Sequence, residues 1–230
     1  MPEAVDVTPL LWLRADTVSG APGTPVVGWP ATVGPDAVQP NPAQQPRLSA
    51  LRGRAAVRFD GVDDVLESSL DINPSVHPKL TIVAVFSSDV DAGRPLRKLY
   101  GADDGGYDRT AGLDDRAENG KNYTVFGGEG PDDVGYFDLS AGGSYLTVDE
   151  FGVGVFNGWV SGRHVLQDQP TNHGDGLSTF FIGGTGTVFS EPWKGTIGEL
   201  LAFDGALSDS QREALEDFLG RKYTLVIDHR

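Results

Sequence analysis

Leu80-Thr81-Ile82-Val83-Ala84-Val85-Phe86-Ser87-Ser88 decides the fold. β-Branched, aliphatic and aromatic residues follow one another with no polar break. A strand covered on both faces of a sheet reads this way, so the run predicts a central strand over 80–88. Upstream, Ala55–Phe59 alternates and stops at the turn dipeptide Asp60-Gly61. Downstream, Phe151–Phe156 and Trp159–Leu166 flank Asn157-Gly158. Both residues of that pair tolerate positive φ, so the spacing predicts a hairpin that turns there. Thr179–Ile182 and Thr196–Phe203 read as two further buried strands, Leu10–Leu13 and Val26–Trp29 as short ones. Pro22, Pro25, Pro30, Pro35, Pro40, Pro42 and Pro46 forbid a helix over 20–47 and most central pairing, which predicts an ordered surface crossing.

One helix stands out near the end. Ser208-Asp209-Ser210-Gln211 is a capping box, in which the Ser208 hydroxyl accepts from the third helical amide and Gln211 reaches back. Leu207, Leu215, Phe218 and Leu219 then share a face, and Gly220 is the expected left-handed stop. About ten strands and one late helix predict an all-β fold, a two-sheet antiparallel sandwich. The 230 residues suit one such domain, 1–230, and 39% apolar residues are globular composition.

The net charge of −15 argues against nucleic acid and anionic membranes, both of which are gripped by cationic groups. Zero cysteines remove disulfides, thiolate chemistry and the usual structural zinc sites. No apolar run is long enough to span a bilayer. Met1-Pro2-Glu3-Ala4-Val5-Asp6 lacks the cationic and apolar regions of a secretory signal, so the expectation is an intact frame without one.

Residues 101–150 hold twelve acids against Arg109, Arg116 and Lys121. One reading is a Ca²⁺ site on Asp103, Asp104 and Asp108, since a hard cation gathers several oxygens at one loop. The other is a set of solvated loops whose acids keep the chain soluble. No catalytic constellation appears. There is no Glu-x-Asp-x-x-Glu strand for glycoside hydrolysis, no Gly-x-Ser-x-Gly elbow and no phosphate loop. His77, His164, His173 and His229 are not paired at metal-ligand spacing, and Arg47, Arg52, Arg54 and Arg58 are expected to pair with the acidic loops. Exposed aromatic faces can stack on sugar rings. The candidates, in or beside expected loops, are Tyr107, Tyr123, Tyr136, Tyr145 and Trp193, whereas Trp12, Trp29 and Trp159 sit in strand patterns and are expected in the core.

The order of motifs carries a resemblance. Leu11-Trp12-Leu13-Arg14-Ala15-Asp16 opens the chain, and Ala56-Val57-Arg58-Phe59-Asp60-Gly61-Val62-Asp63-Asp64-Val65-Leu66 follows Trp29 and the Gln39–Pro46 stretch. Ile182-Gly183-Gly184, Trp193-Lys194-Gly195-Thr196-Ile197-Gly198-Glu199-Leu200-Leu201-Ala202-Phe203, Ala206-Leu207-Ser208 and the capped helix through Tyr223 complete the set. This resembles the laminin-G-like, concanavalin-A-like lectin/glucanase superfamily in its bacterial and phage-borne branch. The resemblance implies a jelly roll of roughly a dozen strands, which hosts lectins, adhesion domains, glycosidases and virion proteins. Its expected function here is a non-enzymatic structural or recognition protein of a bacteriophage virion, on head or tail. Virion proteins or a cell-surface glycan would be its partners, within a homo-oligomer or larger assembly formed in the host cytoplasm. The alternative is a carbohydrate-binding domain of a bacterial surface or secreted protein, and a remote one is a glycoside hydrolase.

Overall fold

Seventeen strands and one α-helix form among the residues that the computed structural model describes, which are 5–89, 96–105, 108–114, 121–126, 134–171, 174–186 and 191–230. In chain order the first eight strands are β1 (Leu11–Arg14), β2 (Gly28–Trp29), β3 (Ala31–Val33), β4 (Ala37–Val38), β5 (Arg47–Leu51), β6 (Arg54–Asp60), β7 (Leu66–Ser68) and β8 (Leu80–Ser88). The next four are β9 (Arg97–Gly101), β10 (Thr110–Leu113), β11 (Tyr123–Phe126) and β12 (Val134–Phe137). The last five are β13 (Ser144–Phe151), β14 (Val155–Val160), β15 (Arg163–Pro170), β16 (Phe180–Ile182) and β17 (Lys194–Asp204), followed by α1 (Asp209–Tyr223).

They build two antiparallel sheets. The first runs β15-β14-β13-β8-β17-β1-β3, with β6 pairing β17 and β5 pairing β6. The second runs β12-β11-β10-β9-β16-β7-β4-β2. The proline-rich 20–47 crossing contributes short strands to both sheets. β17 lies along β8 on one edge, while its other edge serves β6 at Lys194–Ile197 and β1 at Glu199–Ala202. Between the sheets, Leu13, Phe59, Ile82, Ala84, Phe86 and Leu200 meet Trp29, Leu66, Tyr100, Val125, Phe180 and Ile182.

The unbroken apolar run of β8 has a second cause besides its central place. Val83 and Val85 point away from the inter-sheet core and, with Trp12, Leu146, Val148, Leu201 and Phe203, receive Leu215, Leu219 and Tyr223 of α1. The first sheet is thus buried on both faces. Each large apolar side chain in this second layer contributes about 1.5–3 kcal/mol of burial. Gly198 makes the docking possible, because a Cβ there would sit 2.7 Å from the Tyr223 ring. Beside it, the fully buried Glu199 carboxylate accepts from Trp12 Nε1 (2.8 Å) and from Lys222 Nζ.

The capping box forms as read, with Gln211 N–H donating to Ser208 Oγ and Gln211 Oε1 accepting from the Ser208 amide. The stop does not. Gly220 lies inside α1, Thr224 takes the left-handed conformation (φ 54°), and its amide donates to the Gly220 carbonyl. What Gly220 supplies is room, since a Cβ there would meet Ile227 of the returning tail at 2.4 Å. The predicted Asn157-Gly158 turn is also corrected. That pair lies within β14 at a register shift, and the chain reverses at Gly152–Gly154 and at Ser161-Gly162 instead. Ser161 (φ 50°) and Gly162 (φ 89°) carry the two positive dihedrals that a two-residue hairpin needs. Among the described residues, three of the four clustered arginines find partners outside 101–150. Arg52 and Arg54 donate to the Tyr223 and Lys222 carbonyls (2.9 and 3.0 Å), satisfying the end of α1, and Arg58 pairs with Asp89.

Candidate functional site: an acidic cleft on the second sheet

Helix α1 and the tail cover the outer face of the first sheet; among the described residues no helix covers that of the second. On this face alternation places Phe181, between the core residues Phe180 and Ile182 and buried under the Gly186 segment, and the exposed Glu67, its cross-strand partner on β7. A cleft of ≈ 250 Å³ opens there. Its walls are Gln44, the Asp63–Val65 turn after β6, the Gly183–Gly186 segment after β16, and Glu191-Pro192 before β17.

Arg97 fastens those walls together, donating to the carbonyls of Gly61 (2.9 Å) and Pro192 (3.0 Å). Lys98 lies behind Glu191, held by Asp114 at 2.9 Å and by the Phe126 ring at 4.1 Å, with Glu191 at 3.9 Å. Among the described residues the cleft is lined by Asp63, Asp64, Glu67 and Glu191 and by no cationic side chain. Burial, with the charges of Asp60 and Asp63, pushes the Asp64 carboxyl up to about 6, although the Asp60 amide donates to it (2.9 Å). Carboxylates, the Gln44 amide and exposed backbone accept from hydroxyl groups.

The structure redistributes the residues proposed from sequence. Tyr123, at the start of β11, and Trp193, just before β17, are fully buried core residues. Tyr123 stacks between Phe86 (5.6 Å) and Phe137 (4.6 Å), and Trp193 meets the Phe86 ring edge-on at 5.6 Å. Neither offers a face to a sugar. Tyr145 is half-buried, packed on Phe86 and Phe137, and its hydroxyl accepts from the Ser140 amide (2.7 Å). Tyr136 lies on β12. Its side chain and all of Tyr107 fall outside the described residues, as does His173. Trp12, Trp29 and Trp159 are buried as expected.

Asp103, Asp104 and Asp108 hold a turn. Asp108 Oδ2 accepts from the Asp104 amide (3.2 Å) and Asp103 Oδ1 from the Gly105 amide (2.8 Å). Among the described residues, the acids whose carboxylate oxygens converge within 4.8 Å are a different trio, Asp60, Asp63 and Asp64. The sequence reads Asp60-Gly61 as a turn; the convergence comes from the loop's return to β7, which periodicity does not reveal. His77 pairs with Asp204 (3.0 Å), His164 stacks on Trp159 (4.3 Å) and His229 contacts Asp217 (3.1 Å), all outside the cleft.

No family model matches the chain, and no curated protein does. Solved structures do. Trypanosoma rangeli sialidase in complex with the inhibitor DANA superposes with a TM-score of 0.63 at 16% identity, over 92% of this chain and 33% of the sialidase. The chain therefore spans about a third of that enzyme's length. The botulinum neurotoxin serotype D binding domain gives 0.61 at 13% identity, over 92% of this chain and 52% of its own. Domain 4 of AbnA, a GH43 extracellular arabinanase from Geobacillus stearothermophilus, in complex with arabinotriose, gives 0.51 at 16% identity, over 86% and 82%. The likeness is one of fold, and this chain is a two-sheet β-sandwich of the jelly-roll kind that these proteins share.

Proposed function

We propose that this chain is a non-catalytic recognition domain that binds a neutral glycan in the acidic cleft. The observation that carries the reading is the cleft's position and lining: a sheet face that no described helix covers, with carboxylate and amide acceptors and, among the described residues, no cation. Sugar hydroxyls are donors that such acceptors take. Uronic and sialic acids would be repelled by the four carboxylates. The arabinanase domain, solved with arabinotriose, is a similar sandwich that holds an oligosaccharide. A virion setting remains part of the proposal on the strength of motif order alone; none of the three similar structures named above is a virion protein.

The test is a glycan array probed with the wild-type chain and Glu67→Gln. Glu67 is exposed and lines the cleft. The expected result is binding confined to neutral glycans, weakened about tenfold by the substitution, the size of one charge-assisted hydrogen bond. Binding that prefers acidic glycans, or that ignores Glu67→Gln and Gln44→Ala alike, overturns the reading.

A further inference from the structure

We propose that Lys98 and Asp114 condense to an intramolecular amide, an isopeptide bond that ties β9 to the end of β10. Lys98 is 2% exposed and Asp114 fully buried, and Lys98 Nζ stands 2.9 Å from Asp114 Oδ2. A C–O bond of about 1.23 Å then puts the carboxyl carbon within about 4 Å of that nitrogen, a short step from attack distance. The Phe126 ring lies 4.1 Å from the same nitrogen, and Glu191 Oε2 lies 3.9 Å from it. Backbone bonds fix the three polar residues. The Lys98 amide donates to the Glu191 carbonyl (2.8 Å) and the Asp114 amide to the Asn122 carbonyl (2.8 Å), while the Asp114 carbonyl accepts from Thr124 Oγ1 (2.7 Å). Gly112 permits the close approach of the two strands, since a Cβ there would fall 2.6 Å from the Lys98 Cα.

A buried ammonium–carboxylate pair carries the desolvation cost of two charges. Passing one proton across the contact gives a neutral amine and a carboxylic acid, which are the reactants of amide formation. Nζ attacks the Asp114 carboxyl carbon, the C–N bond forms and the C–OH bond breaks. The proton lost by nitrogen leaves with the hydroxyl. Ammonium plus carboxylate thus equals amide plus one water, and no oxidant, reductant or activating group enters. Glu191 carries the proton from nitrogen to the departing oxygen, which a small rotation of its partly exposed side chain allows. It also lines the cleft, and the water leaves there. Holding amine and carboxyl in one orientation supplies the effective concentration that condensation in bulk water lacks. The product removes both buried charges. In a chain with no cysteine it is also a covalent staple that no disulfide can supply, and it restricts the open chain as any such loop closure does.

Neither the bond nor its test involves a glycan. The intact mass of the folded full-length chain is measured, and its proteolytic peptides are sequenced by tandem mass spectrometry. The wild type should be lighter than its sequence by one water, with a branched peptide joining Lys98 to Asp114. Asp114→Ala and Lys98→Arg should keep the full mass. Glu191→Gln retains both reacting groups and should form the bond about a hundredfold more slowly. A wild type at full sequence mass overturns the inference. So does a lost water that maps elsewhere, as in a succinimide at Asp60-Gly61 or Asp204-Gly205, or one that persists in Asp114→Ala. If Asp114→Ala and Lys98→Arg do not fold, the wild-type peptide map decides alone. Bond formation at an unchanged rate in Glu191→Gln would overturn the proton-carrying role of Glu191.

Discussion

Asp108 ionises at a cost that substitution should recover. Its side chain is 1% exposed, and burial together with the charges of Asp104 and Asp103 pushes its carboxyl up to about 6 from an ordinary 3.8. The folded value lies above the unfolded one, so the fold binds this proton more tightly than the open chain does. The penalty is therefore absent below the unfolded value, grows between about pH 4 and pH 6, and is complete above. A shift of roughly two units corresponds to at most about 3 kcal/mol, and water at the exposed Asp104 brings the expectation to about 1–3 kcal/mol. Asparagine keeps an oxygen for the Asp104 amide and carries no charge. Asp108→Asn should then unfold about 2–12 °C higher than wild type near pH 8, at about 2–4 °C per kcal/mol for a chain of this size. The difference should vanish near pH 4. Calorimetric midpoints across that range make the assay. A difference that does not change with pH, or a wild type that is the more stable near pH 8, would refute the reasoning.

Two further expectations concern the seam between α1 and the first sheet. Lys222→Met removes the ammonium paired with the fully buried Glu199 and leaves that carboxylate with the Trp12 N–H and the Tyr223 hydroxyl; a loss of about 3 kcal/mol is expected from urea denaturation, and an unchanged midpoint would show that the pair is dispensable. Gly198→Ala drives a Cβ to 2.7 Å from the Tyr223 ring, so the helix must lift or the strand shift, at about 1–3 kcal/mol; loss of near-ultraviolet dichroism with far-ultraviolet signal retained would mark a lifted helix, and full stability would contradict the contact.

Much of the frame is legible from residue types alone. The run 80–88 is β8, residue for residue, and the box at Ser208 starts α1, because both signals are local. What escaped is non-local. Asn157-Gly158 has turn chemistry, but Ser161-Gly162 won the reversal, since pairing Val148 with Trp159 buries that tryptophan beneath the Arg212 guanidinium. Strands β9 to β12 are short and lie among glycines and acids, and their pairing supplies what their periodicity lacks. Tyr123 and Trp193 looked exposed because their neighbours are polar or glycine. Their burial depends on Phe86, distant in sequence and adjacent across the sandwich. The cleft follows the same rule: Glu67, Phe181 and Glu191 meet only through the β7–β16 pairing and the Arg97 clamp, and acid density in 101–150 pointed elsewhere.

The most direct test of the account is amide chemical-shift mapping of the ¹⁵N-labelled chain with the best neutral oligosaccharide from the array. The account predicts perturbations centred on Asp63–Glu67, Phe181 and Gly183–Gly186. Perturbations confined to the Asp103–Asp108 turn or to the β14–β15 edge, with the cleft silent, would contradict it.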